Sequence, residues 1–219
     1  MKIAMASANL GRIDVSAEHV PQLLPSGVEF VSHLFTDENF PPRFCAMTPR
    51  LQARIPKYYA WQLLPGHDWY VWLDASFALA REDAIAWLHA QSGGADLTIF
   101  RHPDRTTIAA EAQFMRDRIT GRYLRKRYTN EFLDEMMLAY LTDPDFEDTK
   151  LYACGWFGYR DSAKMRAFME RWWAHQARYH LNDQICLVYL LSKHPEITVS
   201  VVDAHIYKTP YLRFLRGRA

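Results

Sequence analysis

Five consecutive large apolar residues, Trp69-Tyr70-Val71-Trp72-Leu73, run directly into an acid, Asp74. An apolar run this short, bounded by the turn Pro65-Gly66-His67-Asp68, reads as a strand buried on both faces. Such a strand needs a covering layer on each side. Shorter or less uniform apolar runs over residues 2–8, 28–35, 96–101, 151–159 and 197–202 read as further strands. Between them lie helical patterns. Thr48-Pro49 pairs an N-cap with proline at the first helical position, and the pattern runs towards Leu64, with Pro56 starting a new turn or kinking it. Residues 81–91 form a helix stopped by Ser92-Gly93-Gly94, and Thr106 or Thr107 caps another that runs to about Tyr123. Helices are also expected over residues 130–141, over 162–178 with Met165, Phe168, Met169 and Trp172 on one face, and over 184–193 behind a cap at Asn182 or Asp183. This alternation predicts one three-layer α/β/α domain over residues 1–219, with a mixed, mostly parallel sheet. Residues 203–219 form a basic tail whose Tyr211, Phe214 and Leu215 fit a docked terminal helix, or contact with a membrane surface or a partner.

Composition removes several classes. The chain is 49% apolar and 23% charged, which is globular rather than disordered or rod-like. Its 26 basic and 25 acidic side chains leave a net charge of +1, so no global field asks for nucleic acid or an anionic membrane. Cys45, Cys154 and Cys186 are scattered and odd in number, which suggests neither a disulfide framework nor a metal pair and points to a reducing cytoplasm. Asn9, Gly11, Arg12 and Asp14 end the first apolar run before a signal-peptide core is complete, and no window is long enough to span a membrane. Aromatics reach 14%; most belong to packing, and an exposed surplus would suit stacking on sugars or bases.

In sheets of this kind ligands bind beyond the carboxyl ends of the strands, which draws attention to Asn9, Asp37, Asp74, His102 and Asp203-Ala204-His205. Asp74 caps a neighbouring loop, pairs with a base or binds a cation, because a buried unpaired carboxylate is costly. His205 is a surface histidine or a second metal ligand, with Lys208 placed to meet a diphosphate. Asp183 is a plain N-terminal helix carboxylate or a group facing a site. Arg116, Arg118, Arg122, Arg125, Lys126 and Arg127 form a solvated helix face or an anion-binding patch. No GxGxxG after a strand, Walker loop, GxSxG or HExxH is present.

Taken in order, the segments ending at Ala8-Asn9 and at Phe35-Thr36-Asp37, the Arg54/Lys57 helix, Trp72-Leu73-Asp74-Ala75-Ser76, Phe100-Arg101-His102-Pro103-Asp104-Arg105, Glu111, Ala153-Cys154-Gly155-Trp156-Phe157, Asn182-Asp183-Gln184 and His205-Ile206-Tyr207-Lys208 form a pattern. It resembles the GT-A class of nucleotide-sugar-dependent glycosyltransferases. More closely, it is similar to the glycosyltransferase-like domain family shared by plant wall-mucilage proteins and bacterial polysaccharide loci. The resemblance covers nearly the whole chain, and the segments 72–76 and 101–111 are its most specific parts. It implies a hexosyltransferase that moves a sugar from a nucleoside diphosphate-sugar, UDP-sugar favoured, to a glycan or lipid-linked acceptor in surface polysaccharide synthesis.

The implied roles follow position by position. Ala8, Asn9 and Asp37 line the nucleoside pocket, and Arg54 and Lys57 approach the diphosphate or the base. Asp74 and His205 hold Mn²⁺ or Mg²⁺, and Lys208 holds the diphosphate. His102, Gly155 and Trp156 face the sugar or acceptor; Asp183, Gln184 and Glu111 serve catalysis. The chain departs from the family's Asp-x-Asp pattern, because Asp74-Ala75-Ser76 offers one carboxylate. That departure keeps a catalytically degenerate nucleotide- or glycan-binding module as the alternative. A nucleic-acid-binding protein built on the arginine run is the third reading.

Overall fold

The computed structural model describes residues 1–11, 18–43, 45–119 and 131–215. Its centre is a six-stranded sheet of β1 (Lys2–Asn9), β2 (Glu29–Thr36), β3 (Trp69–Leu73), β5 (Leu97–Arg101), β6 (Tyr152–Arg160) and β7 (Val199–Val202), in the order β2-β1-β3-β6-β5-β7. The pairs β1–β2, β1–β3 and β5–β7 are parallel, and β6 is antiparallel to both β3 and β5. Five strands therefore run the same way and one opposes them, the mixed, mostly parallel α/β sheet that the sequence predicts.

Alternation along the strands builds two cores. On one face Ala4, Ala6, Tyr70, Trp72, Ile99 and Phe157 meet helices α2 (Arg54–Tyr58), α5 (Ile108–Ile119), α6 (Leu133–Leu141), α7 (Ala163–Arg178) and α8 (Asp183–Lys193). The α7 side chains Met165, Phe168, Met169 and Trp172 are all buried there. On the other face Ile3, Met5, Trp69, Val71, Leu73 and Trp156 meet α4 (Ala84–Ala90) and a two-stranded ribbon of β4 (Phe77–Leu79) and β8 (Leu212–Phe214).

The capping signals act as expected. Thr48 accepts from the Leu51 N–H ahead of α1 (Pro49–Gln52), and Ser162 accepts from Met165 ahead of α7. Thr107 Oγ1 and the Asp148 carboxylate take the first N–H groups of α5. Asn182, not Asp183, is the N-cap of α8.

Three expectations are corrected. The pattern from Thr48 to Leu64 forms three short helices, α1, α2 and α3 (Ala60–Leu63): Pro56, in the first turn of α2, has no N–H to give the Gln52 carbonyl, and Tyr59 leaves helical dihedrals at φ −115° and ψ 26°. The expected helix over residues 81–91 begins only at Ala84. The tail does not dock as a helix: Leu212–Phe214 form β8, paired antiparallel with β4. Arg122, Arg125, Lys126, Arg127, the expected helix end at Tyr123, the expected helix start at Asn130, Arg12, Asp14 and residues 216–219 lie outside the described residues. Among the described residues no helix is long and apolar enough to cross a membrane.

Candidate functional site

Because five strands share one direction, their carboxyl ends deliver Asn9, Asp37, Asp74, His102 and His205 to one end of the sheet. β6 begins at that same end, where its ladder with β5 slips: Ile99 faces Phe157, but Phe100 faces Ala153. Residues 154–156 bulge out of the pairing with β5, while Trp156 still pairs with Leu73 of β3, a common device for re-aiming a chain beside a site. The Gly155 carbonyl then accepts the Asp74 N–H at 2.8 Å, and the Cys154 carbonyl takes the Lys57 ammonium at 2.7 Å.

Arg54 and Lys57, three apart on α2, project from one face of the helix. Both reach Asp183 at the start of α8. Arg54 Nη1 donates to Asp183 Oδ2 at 2.7 Å, Lys57 Nζ donates to the same oxygen, and Arg54 Nη2 holds the Leu181 carbonyl at 3.2 Å. The Lys57 side chain is wholly buried, with its ammonium 5.2 Å from the centre of the Trp72 ring and 5.5 Å from that of Phe157. Burial pushes the Asp183 carboxyl up, and Arg54 and Lys57 more than offset it, so it stays below the usual carboxylate range. Lys57 also lies 3.7 Å from Asp74 Oδ1, which accepts the Trp72 indole N–H at 2.6 Å. Trp72 and Asp74 are two residues apart along the strand direction, so they share a face. The Asp74 side chain remains 37% exposed, the open end of an otherwise buried charge cluster. A Cβ at position 155 would stand 2.8 Å from Phe77 Cε2 and 3.4 Å from Asp74 Oδ2, so glycine there lets the acid and the ring close in.

A second polar cluster adjoins the first through Asn182. Its Oδ1 caps α8 while its Nδ2 donates to Glu111 Oε1 at 2.9 Å. Arg105 Nε donates to Glu111 Oε2, and the guanidinium stacks 3.9 Å from the Phe114 ring centre. His102 is buried beside them, with Nε2 3.8 Å from Glu111 Oε2. Its Nδ1 accepts the N–H groups of Asp104 and Arg105, so the neutral ring carries its proton on Nε2. Burial, the largest cause, pushes its pKa below the ordinary value.

The segment before Asn182 is equally fixed. His180 Nδ1 accepts the Asn182 N–H at 2.9 Å, and His180 Nε2 lies 3.2 Å from Glu131, whose Oε2 also accepts the Leu181 N–H at 2.7 Å. Burial first, then Arg50 and Arg54, push the His180 pKa down to about 3.

The structure thus brings Arg54, Lys57, Asp74, Gly155 and Asp183 together, with Glu111 and His102 beside them. Asp37 accepts the Gly11 N–H with both oxygens at 3.1 Å and so shapes the loop after β1, where Ala8 is buried and Asn9 half-buried. Gln184, in the first turn of α8, holds a buried Oε1 with no hydrogen-bond partner among the described residues. Lys208 is exposed in a turn closed by its N–H to the His205 carbonyl at 2.9 Å. Trp156, expected to face a ligand, is instead fully buried in the second core, its ring 5.3 Å from Phe100 and 5.8 Å from Trp87.

Three contributors carry no role in the sequence reading. Asn182 was legible only as a cap and as part of a motif. Arg105 was legible only as part of a motif. Tyr207, 5.6 Å from Phe77 in a stacked pair, was likewise legible only as part of a motif.

As donors for a divalent cation the chain offers Asp74 Oδ2, and His205 only after a change of tautomer, since its Nδ1 accepts the Tyr207 N–H at 3.2 Å and the neutral ring then carries its proton on Nε2. Among the described residues no three His, Cys, Asp or Glu side chains converge as a metal-holding group. A cation here fits only if a bound diphosphate and water supply its remaining oxygens.

No family model matches the chain, and no curated protein matches its sequence. Among solved structures, the chain is similar to mouse xyloside xylosyltransferase 1 in its apo form, with a TM-score of 0.47 and 15% identity over 93% of this chain and 86% of that one. It is also similar to a glycosyltransferase involved in the glycosylation of the major capsid of PBCV-1, with a TM-score of 0.43 and 8% identity over 92% of this chain and 81% of that one.

Proposed function

We propose that the chain is a glycosyltransferase of the hexosyltransferase class. It takes a sugar from a nucleoside diphosphate-sugar, UDP-sugar favoured, and passes it to a glycan or lipid-linked acceptor for surface polysaccharide, in the cytoplasm. The observation that carries this reading is the junction of Arg54, Lys57, Asp183 and the half-open Asp74 at the carboxyl ends of the strands. Segments quoted for the sequence resemblance supply every member of it.

The transfer breaks the bond between the anomeric carbon and the diphosphate oxygen, so negative charge develops on the leaving group and positive charge on the sugar ring. Lys208 meets the leaving diphosphate as a point charge. Asp183, kept ionised by Arg54 and Lys57, faces the developing positive charge. Gln184 stands next to Asp183 in the first turn of α8. Asn182 and Arg105 fix the orientation of the Glu111 carboxylate. Asp74 and His205 would hold Mn²⁺ or Mg²⁺, which when bound supplies further neutralisation of the diphosphate.

A thermal-shift screen of nucleoside diphosphates and nucleotide-sugars, each with and without Mn²⁺, tests the reading. The expected result is a rise in Tm with one nucleotide, strengthened by Mn²⁺ and lost in Asp74→Asn and His205→Ala. No shift with any nucleotide sinks the donor site. A shift without donor hydrolysis or sugar transfer would leave a binding module.

A further inference from the structure

The main sheet ends in two edges of unequal length. β7 forms one edge with four residues, and β2 forms the other with eight. A short edge strand offers little to a second chain, whereas a long one is commonly guarded by lysine, proline or a bulge. β2 carries no lysine and no proline, and it pairs with β1 residue for residue without a slip. Besides His33, its one titratable side chain is Glu29, at the start of the strand and 3.6 Å from Lys2.

The register fixes which backbone groups stay open. The Glu29 N–H donates to the Met1 carbonyl at 2.9 Å, so in this parallel ladder Glu29, Val31, His33 and Phe35 face β1. Phe30, Ser32, Leu34 and Thr36 turn their N–H and C=O groups outward. Asn39 closes one end of that row: its Oδ1 accepts the Thr36 N–H at 2.8 Å, and its Nδ2 donates to the Leu34 carbonyl at 2.9 Å. Among the described residues nothing takes the outward groups of Phe30 and Ser32 or the Leu34 N–H. Ser32 is exposed, and Val31 and Leu34 are 46% and 42% exposed. Val31 and Leu34 point to opposite faces of the sheet, so a further strand has room on both sides.

The open row is centred on Ser32, and that selects the occupant. A two-fold axis normal to the sheet sets Ser32 against Ser32 of the partner subunit, with the strands antiparallel. Each Ser32 N–H then meets the other carbonyl, and the Leu34 N–H meets the carbonyl of the partner's Phe30. The Phe30 N–H takes the lone pair that Asn39 leaves on the carbonyl of the partner's Leu34. Phe30 lies beside the partner's Leu34, and Val31 beside the partner's His33, as stabilising cross-strand pairs do. Lys2 neutralises Glu29, the charge nearest the acidic turn that follows the partner strand. Self-complementarity of this kind is what a two-fold contact requires.

We propose that β2 is a homodimer interface, in which two copies join antiparallel about Ser32 and extend one sheet into the next. The joined strands run in opposite directions, so the two candidate sites lie at opposite ends and each chain keeps its own. A single strand pair is a small interface, so the dimer is reversible and depends on concentration.

Sedimentation velocity on the full chain, from micromolar to millimolar, tests it. Wild type should pass reversibly from one chain to two. Ser32→Lys sets two ammonium groups opposite each other, and Ser32→Pro removes the central N–H without touching the ladder to β1. Each should raise the dimer dissociation constant at least about tenfold, whereas Ser32→Thr, which keeps the N–H, should stay within about threefold. The Tm of the dilute variants checks folding; should Ser32→Pro fail to fold, Ser32→Lys decides alone. In a Cys45→Ser background, a Val31→Cys chain mixed with a His33→Cys chain should form a disulfide faster than either chain alone. Those positions face each other with Cα atoms about 4.5 Å apart.

A chain that stays monomeric throughout would overturn the proposal and leave the edge to a different strand. A dimer indifferent to Ser32→Lys would overturn it in favour of another surface. Species that grow past the dimer would overturn it too, because β2 of one copy on β7 of the next makes an open chain rather than a closed pair. A Ser32-dependent dimer without the mixed cross-link would overturn the register about Ser32.

Discussion

Two buried aspartates, one at each end of the sheet, meet a lysine in different ways. Asp96 precedes β5 at the end away from the candidate site. Its Oδ2 takes Lys164 Nζ at 2.6 Å, the Thr198 N–H at 2.8 Å and Thr198 Oγ1 at 2.7 Å. Lys164 is 43% exposed along its side chain and also holds the Glu196 carbonyl. One acid, one base and a threonine pin β5 and β7 to α7, and no charge is left over. Asp183 instead takes both Arg54 and a wholly buried Lys57, and Lys57 extends to Asp74. A pin needs one ion pair. This cluster has two bases and two acids, and it turns the second acid towards solvent. A balanced charge cluster with one acid left open is what a ligand site can use, whereas a saturated pair only fastens elements together.

The largest test of that difference is Lys57→Met. It leaves Asp183 buried beside Arg54 alone and orphans the Cys154 carbonyl, so unfolding stability should fall by about 3–5 kcal/mol in chemical denaturation. A loss below about 1 kcal/mol would show that water reaches Asp183, and the contrast with Asp96 would collapse. Asp96→Ala should follow at about 1–3 kcal/mol, the cost of stranding the two Thr198 donors. Its lysine swings into solvent, which Lys57 cannot do. If Asp96→Ala proved the more damaging, the site cluster would be the weaker pin and its open acid would lose its meaning.

What the sequence disclosed depends on how local the signal was. Apolar runs, some of them alternating or interrupted, placed all six strands of the main sheet, and the direction that five of them share placed Asn9, Asp37, Asp74, His102 and His205 at one end. β4 and β8 were not legible, because three-residue strands exist only through a pairing such as Phe77 with Phe214, far apart in the chain. The spacing of Arg54 and Lys57 shows a shared helix face, but not that both point at an acid more than a hundred residues away. Trp156 shows how local counting fails. A period of two puts it on the same face as Cys154, and the bulge at residues 154–156 turns it to the opposite core. His180 gave no motif either, since its value lies in burial and in the backbone N–H it accepts.

His180 gives the next effect in size, and it varies with pH. Its folded pKa of about 3 lies below the ordinary 6.5, so the fold favours the neutral ring. As pH falls below 6.5 the unfolded chain takes up a proton that the folded chain refuses. The His180 contribution is therefore complete above pH 6.5 and is lost by about 1.4 kcal/mol per pH unit as pH falls towards 3. Glu131 facing Nε2, with Arg50 and Arg54 nearby, is the charged setting of that proton. His180→Asn keeps an acceptor for the Asn182 N–H and removes the titration. Denaturation at pH 7, 6 and 5 should show wild type losing its advantage over the variant step by step. A constant difference would place the ring in contact with water.

The smallest stability effect belongs to Asp74→Asn, and it separates the two aspartate environments most sharply. An asparagine Oδ1 still accepts the Trp72 indole N–H, and Lys57 keeps Asp183 and the Cys154 carbonyl. Asp74 is partly exposed, so its charge contributes little to the fold, and stability should change by less than about 0.5 kcal/mol. The nucleotide-induced thermal shift should disappear in the same variant. If Asp74→Asn instead cost about 2 kcal/mol and left nucleotide shifts intact, Asp74 would be a pin like Asp96, its exposure incidental, and the two ends of the sheet would differ only in the number of groups they fasten.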